Sequence, residues 1–175
     1  SNEKLKLKNL IQLYPNFDFS KIKNNSTIKI GFEGLELKVK KNHKLFLECI
    51  ITEQGYLESN KGVHFEDFIQ LDPLTKKDLS ALEIGKKYNI NHYALSFANK
   101  SEDVKYLKSK LSKKAKIISK IETKMGFLNK KKICRYSDAI LVDRGDLSRY
   151  INISKIPLAQ RLIVKEAKKF NKEVY

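Results

Sequence analysis

Between residues 35 and 40 apolar and charged positions alternate strictly: Leu35, Leu37 and Val39 are separated by Glu36, Lys38 and Lys40. A period of two sends the two sets to opposite sides of a pleated chain, so this segment predicts a half-buried strand. Thr27–Gly31 is a shorter β-like run and Leu45–Thr52 a third. Glu33-Gly34, Asn42-His43 and Gln54-Gly55 punctuate them as turns. Together they predict a small antiparallel β domain over residues 1–60.

Beyond residue 60 the period changes. Thr75 followed by Lys-Lys-Asp78 reads as a capping box opening an amphipathic helix to about Tyr88. His92–Phe97 is a strand candidate. Ser101 is placed to cap a helix with Glu102 and Asp103 in its first turn and Val104, Leu107 and Leu111 on its buried side. A strand over Lys116–Glu122, a helical stretch around Phe127–Tyr136 and a strand over Ala139–Asp143 follow. Pro157 then opens a helix through Leu162, Ile163 and Ala167. Strands and helices alternating at this spacing predict parallel strands joined by right-handed crossovers, forming a second domain over 61–175. Three or four strands are implied, too few to close a sheet of eight.

Charge narrows the choice of partner. The 175 residues hold 36 Lys and Arg against 20 Asp and Glu, a formal charge of +16. Only four of the basic residues are Arg (Arg135, Arg144, Arg149 and Arg161). Bidentate recognition of bases and phosphates favours Arg. The scattered Lys therefore read as a solvated surface, and nucleic acid is not the favoured partner. Cys49 and Cys134 stand far apart without a CxxC pair, which points to two buried thiols rather than a zinc site or disulfide framework. His43, His64 and His92 lack metal-ligand spacing and read as surface or packing residues. No run approaches the ~18 apolar residues of a membrane span, and the first ten residues have no signal-peptide core, so the expectation is a cytoplasmic chain with no membrane partner.

Candidate chemistry lies at the carboxyl ends of the parallel strands, where β/α arrays place their functional residues. Glu122 ends one strand, and Asp146 follows the next within Arg144-Gly145-Asp146. Strand geometry puts Ile118, Lys120 and Glu122 on one face. Two hard carboxylates from adjacent strands suit Mg²⁺ or Mn²⁺. Lys120 could offset charge developing on a transferring phosphoryl group or an enolate oxygen. Gly145, lacking a Cβ, would let the backbone approach an anion. An ordinary Lys–Glu ion pair beside a surface Arg-Gly-Asp turn satisfies the same spacing.

The segments Ser59-Asn-Lys-Gly-Val63, Leu95-Ser-Phe97, Lys100-Ser-Glu-Asp-Val104, Ile117-Ile-Ser-Lys-Ile-Glu122, Asp138–Leu147 and Pro157-Leu-Ala-Gln160 occur in one order. In that order they resemble the central stretch of pyruvate kinase. The resemblance implies an α/β fold: part of a parallel (β/α)8 TIM-type barrel, preceded by the end of a small β lid domain. It implies phosphoryl transfer between phosphoenolpyruvate and ADP, giving pyruvate and ATP, in a full-length protein that forms a homo-oligomer. By motif match Glu122 and Asp146 would be ligands of Mg²⁺ or Mn²⁺, and Lys120 the catalytic residue that also binds substrate. The amides of Gly145 and Asp146 would hold the substrate carboxylate, and Lys61 would reach nucleotide phosphates. K⁺ is a further cofactor of such enzymes, although the upstream Arg/Asn/Ser segment associated with it has no counterpart here. The chain departs from the family pattern at Asn99 (usually Arg), Asp143 (usually Ala) and Ser148 (usually Gly), and it stops at Asn171-Lys-Glu-Val-Tyr175, before a substrate-binding Thr strand. These differences leave two alternatives: a barrel relative binding phosphoenolpyruvate or pyruvate with Mg²⁺ for lyase-type or regulatory work, and a Lys-rich nucleic-acid-binding module.

Overall fold

The alternation at residues 35–40 sorts side chains by polarity. In the computed structural model, which describes residues 10–31, 34–67 and 69–175, Leu35 and Val39 are buried while Lys38 and Lys40 are exposed. They belong to an antiparallel sheet of four strands, β1 (Thr27–Ile30), β2 (Leu35–Asn42), β3 (Leu47–Glu53) and β4 (Val63–Phe65), in the order β3-β2-β1-β4. One face carries a core of Ile22, Ile28, Ile30, Leu35 and Val39, against which Phe17, Phe19 and Phe65 pack. Asn42 ends β2 rather than making a turn with His43. Its side-chain amide donates to the carbonyls of Phe19 (2.6 Å) and Ile22 (2.7 Å), tying the preceding segment to the sheet. Glu33, half of one expected turn, lies outside the described residues.

β4 has no counterpart among the expected elements, because three residues carry too little periodicity to register. It pairs with β1 through Ile28–Phe65 and Ile30–Val63, and the Gly31 N–H extends the ladder to the Gly62 carbonyl. The first compact unit consequently runs to Leu71 and the second begins at Asp72, beyond the change of texture near residue 60.

The second unit opens with α1 (Lys76–Lys87), capped reciprocally by Thr75 and Asp78 as the spacing predicts. β5 (His92–Leu95), α2 (Ser101–Lys110), β6 (Lys116–Ile121), α3 (Lys124–Leu128), α4 (Lys130–Tyr136), β7 (Ala139–Val142), α5 (Arg144–Leu147), α6 (Ile156–Lys169) and β8 (Glu173–Val174) follow. All four strands are parallel and lie in chain order, β5-β6-β7-β8. On β6, Ile117, Ser119 and Ile121 are fully buried, whereas Ile118 and Lys120 are only half-buried. The first set joins Ile140 of β7 and Val104, Leu107, Ile133, Ile163 and Ala167 of the helices in the second core. Ser119 is accommodated there by a 2.6 Å hydroxyl–hydroxyl bond to Ser137, which itself donates to the Ile133 carbonyl. The other face of β6 is left for Lys120.

Several boundaries shift for local reasons. The strand expected to reach Phe97 ends at Leu95, because Phe97 adopts a left-handed φ of 52°. Ser101 is the first helical residue and not the cap; Asp103 closes the helix start by accepting the N–H groups of Asn99 and Lys100, both at 3.0 Å. The helical stretch at 127–136 is two helices broken at Asn129. Both thiols were expected to be buried. Cys134 is, with its pKa pushed up to about 11 by desolvation, but Cys49 is only half-buried on β3. His64 is buried, and His43 stacks on Phe46 with ring centroids 4.5 Å apart. Among the described residues no helix is long and apolar enough to cross a membrane.

Gly126, in the first turn of α3, lies where a Cβ would come within 2.6 Å of the Ala98 carbonyl oxygen. That contact is with backbone and cannot be relieved by a rotamer change. Gly126→Ala is expected to lose about 1–3 kcal/mol of stability, read as a lower urea midpoint with unchanged m. An unshifted midpoint would show that the 97–99 segment yields freely.

Candidate active site

β6 and β7 pair in the register Lys120–Leu141 and Ile121–Val142. One step further along both strands brings Glu122 level with Asp143, on the same face as Lys120 and away from the helix-packed core. The Lys120 ammonium lies 2.6 Å from Glu122 Oε1 and 3.2 Å from Asp143 Oδ2. Asp143 caps α5, its Oδ1 accepting the Asp146 N–H at 3.3 Å. One carboxylate oxygen from each of Glu122, Asp143 and Asp146 falls within 4.8 Å of the others.

Glu122 is the most constrained member. Its side chain is only 1% exposed, so an ionised carboxylate there needs partners at both oxygens. Lys120 serves one, and the backbone N–H of Phe97 donates a short hydrogen bond to the other. Phe97 itself sits in left-handed backbone, and holding a bulky residue there stores about 1–3 kcal/mol.

The charges are tuned by opposing causes. Burial pushes the Glu122 carboxyl above its ordinary value, against the pull of Lys120 and the Phe97 N–H. Burial would lower the Lys120 ammonium, but its bonds to Glu122 and Asp143 outweigh that and hold it above its ordinary value. Asp143 is held below the usual range: the Asp146 N–H and Lys120 overcome its desolvation. Asp146 is raised by desolvation and by the neighbouring Asp143 charge, with Lys120 and then Arg149 pulling the other way.

Of the residues singled out from the sequence, Lys120, Glu122 and Asp146 lie in one cluster. Gly145 lies in α5, its carbonyl accepting the Ser148 hydroxyl at 2.6 Å. Lys61 belongs to the first unit, where its ammonium pairs with Glu58 at 2.6 Å. Asn99 is drawn into support: it accepts a short bond from the Thr123 hydroxyl, and its carbonyl accepts from the Asn129 side chain at 2.8 Å. Thr123 in turn caps α3 through the Gly126 N–H. One contributor has no counterpart in the sequence reading, and for Asp143 that reading leaves the direction of the side chain open. The Phe97 amide has no side-chain signature, and the direction of Asp143 depends on a parallel register that strand periodicity alone does not reveal.

The donor set is all hard oxygen, which fits a divalent cation such as Mg²⁺ or Mn²⁺ better than a thiophilic one. A Lys–carboxylate cluster at the carboxyl ends of adjacent parallel strands defines an α/β domain of the kind that carries its site on the strand rim. A family model described as pyruvate kinase, barrel domain, matches residues 3–175, and the chain belongs to the pyruvate kinase family. The second unit is accordingly part of a parallel (β/α)8 barrel. Among curated relatives, a pyruvate kinase from Clostridium perfringens is 35% identical over 161 residues, which cover 89% of this chain and 34% of that protein. One from Thermotoga maritima is 30% identical over 157 residues, 87% of this chain and 34% of the relative. One from Mycoplasma pneumoniae is 40% identical over 105 residues, 58% of this chain and 21% of the relative. The chain spans about a third of the length of the first two.

Lys120→Met would leave the Glu122 charge buried without its main partner, a loss expected to cost about 3–5 kcal/mol at neutral pH. Without the ammonium the folded-state pKa of Glu122 rises further above its unfolded value, so the folded protein binds that proton more tightly than the unfolded chain. The deficit is therefore full at neutral and alkaline pH and shrinks as pH falls through the raised pKa. Thermal unfolding at pH 8 and pH 5 reads this directly; an equal deficit at both would refute the buried-charge account.

Proposed function

We propose that this chain is the part of a pyruvate kinase that holds the reacting end of phosphoenolpyruvate during phosphoryl transfer to ADP. The observation that carries the reading is the Lys120 ammonium beside Glu122, in one cluster with Asp146, at the carboxyl ends of neighbouring parallel strands. Family membership supports the same assignment. In the reaction the bond from phosphorus to the enol oxygen breaks, a bond from phosphorus to the terminal ADP oxygen forms, and the enolate takes up a proton to become pyruvate. Lys120, held charged by its acidic neighbours, faces the negative charge that builds on the phosphoryl and enolate oxygens. Glu122 and Asp146 are the residues that would hold Mg²⁺ or Mn²⁺, and the bound cation supplies further charge neutralisation there. Phe97 fixes Glu122 in position, so the carboxylate need not reorganise during the transfer.

The amides of Gly145 and Asp146 complete the reading as donors to the substrate carboxylate, and Lys61 as a contact for nucleotide phosphate. The whole protein would then be a cytoplasmic glycolytic homo-oligomer, in keeping with the family.

In the 175-residue chain, Glu122→Gln and Asp146→Asn are each expected to weaken Mn²⁺ binding, followed by electron paramagnetic resonance, by about tenfold or more. In the protein carrying this segment, Lys120→Met is expected to lower pyruvate formation from phosphoenolpyruvate and ADP by about a hundredfold or more. Unchanged Mn²⁺ affinity in both folded carboxylate variants would remove the metal assignment, and unchanged turnover in Lys120→Met would remove the catalytic one.

A further inference from the structure

Two donors at the strand rim already hold an anion, and the chain itself supplies it. The carboxylate of Asp143 bridges the Lys120 ammonium (3.2 Å) and the Asp146 backbone amide (3.3 Å). An ammonium and a backbone N–H converging on two oxygens is the pattern by which proteins grip small carboxylates and phosphates. Asp143 is also the carboxylate best able to leave. Its side chain is 29% exposed, whereas that of Glu122 is 1% exposed and is held on the far side by Phe97. Its bond to Asp146 is long beside the ~2.7–2.9 Å of a strong charge-assisted contact.

We propose that Asp143 is a specificity-determining residue of this site, an internal competitor that a small oxyanion must displace to reach the Lys120 ammonium and the Asp146 amide. The proposal rests on the reading of Lys120 and Asp146 as substrate-facing groups and deepens it. An incoming oxyanion meets the Asp143 charge at contact distance, and like charges so placed in a half-buried site repel strongly. Anions able to engage further groups while Asp143 swings outward are admitted, and simple anions are not. A cap for the single turn of α5 does not require this charge, since Asn caps a helix start as well as Asp. That equivalence separates the two roles.

The test uses the full 175-residue chain, free of added metal, titrated with inorganic phosphate while the Asp146 amide is followed by NMR. Asp143→Asn keeps a side-chain acceptor for the cap and removes the charge; Asp143→Ala removes both. Both variants are expected to bind phosphate about tenfold or more tighter than the parent, with the Asp146 amide resonance moving during the titration. A purely structural role would leave Asp143→Asn like the parent and weaken Asp143→Ala. Equal or weaker phosphate affinity in folded Asp143→Asn, including no binding in either protein, overturns the proposal. The outcome is separable from the proposed function: tighter phosphate binding in a protein without ADP-dependent turnover leaves Asp143 as the competitor and removes only the kinase assignment.

Discussion

A carboxylate that is almost wholly removed from water sets the terms for everything around it. An ammonium lies against one Glu122 oxygen and a backbone amide against the other, and both favour the charged form that burial opposes. Each partner has a structural requirement of its own. Lys120 must share a strand face with Glu122, which fixes which side of β6 packs on the helices. Phe97 lies just past the end of β5 in left-handed backbone, and the loop that follows is fastened by Asp103, Asn99 and Thr123. The polar rim and the loop are thus one electrostatic problem solved by two neighbouring strands.

That organisation explains why a three-carboxylate cluster persists without collapsing the fold. The acids are held in contrasting ionisation regimes: burial raises Glu122 and Asp146, the latter aided by the Asp143 charge, whereas a helix-start amide and an ammonium hold Asp143 low. Lys120 ties two of them together. The chemistry available at the rim follows from this contrast between groups of the same type, more than from the identity of any one of them.

Most of the framework was legible from residue pattern because it rests on local rules. The Thr75–Asp78 capping box, the buried Val104–Leu107 stripe and the alternation in β2 each state their own geometry. Lys120 and Glu122 were readable for the same reason: residues two apart on a strand must share a face. Asp143 was not, since its orientation is settled by registration against another strand, and the amide of Phe97 leaves no trace in side-chain chemistry. β4 escaped notice because its three residues are defined by the partner that pairs with them. The ordered motifs, by contrast, marked the family before any geometry was known, and the match over residues 3–175 agrees with them.

The sealed position of Cys134 has a further implication. With its thiol pushed up to about 11, the reactive thiolate is scarce at neutral pH, and no solvent path reaches the sulfur in the closed state. Covalent labelling at that sulfur can proceed only when the helices above the parallel strands part. Its rate is therefore a clock for transient opening of the second unit, carried in the molecule without any engineered probe.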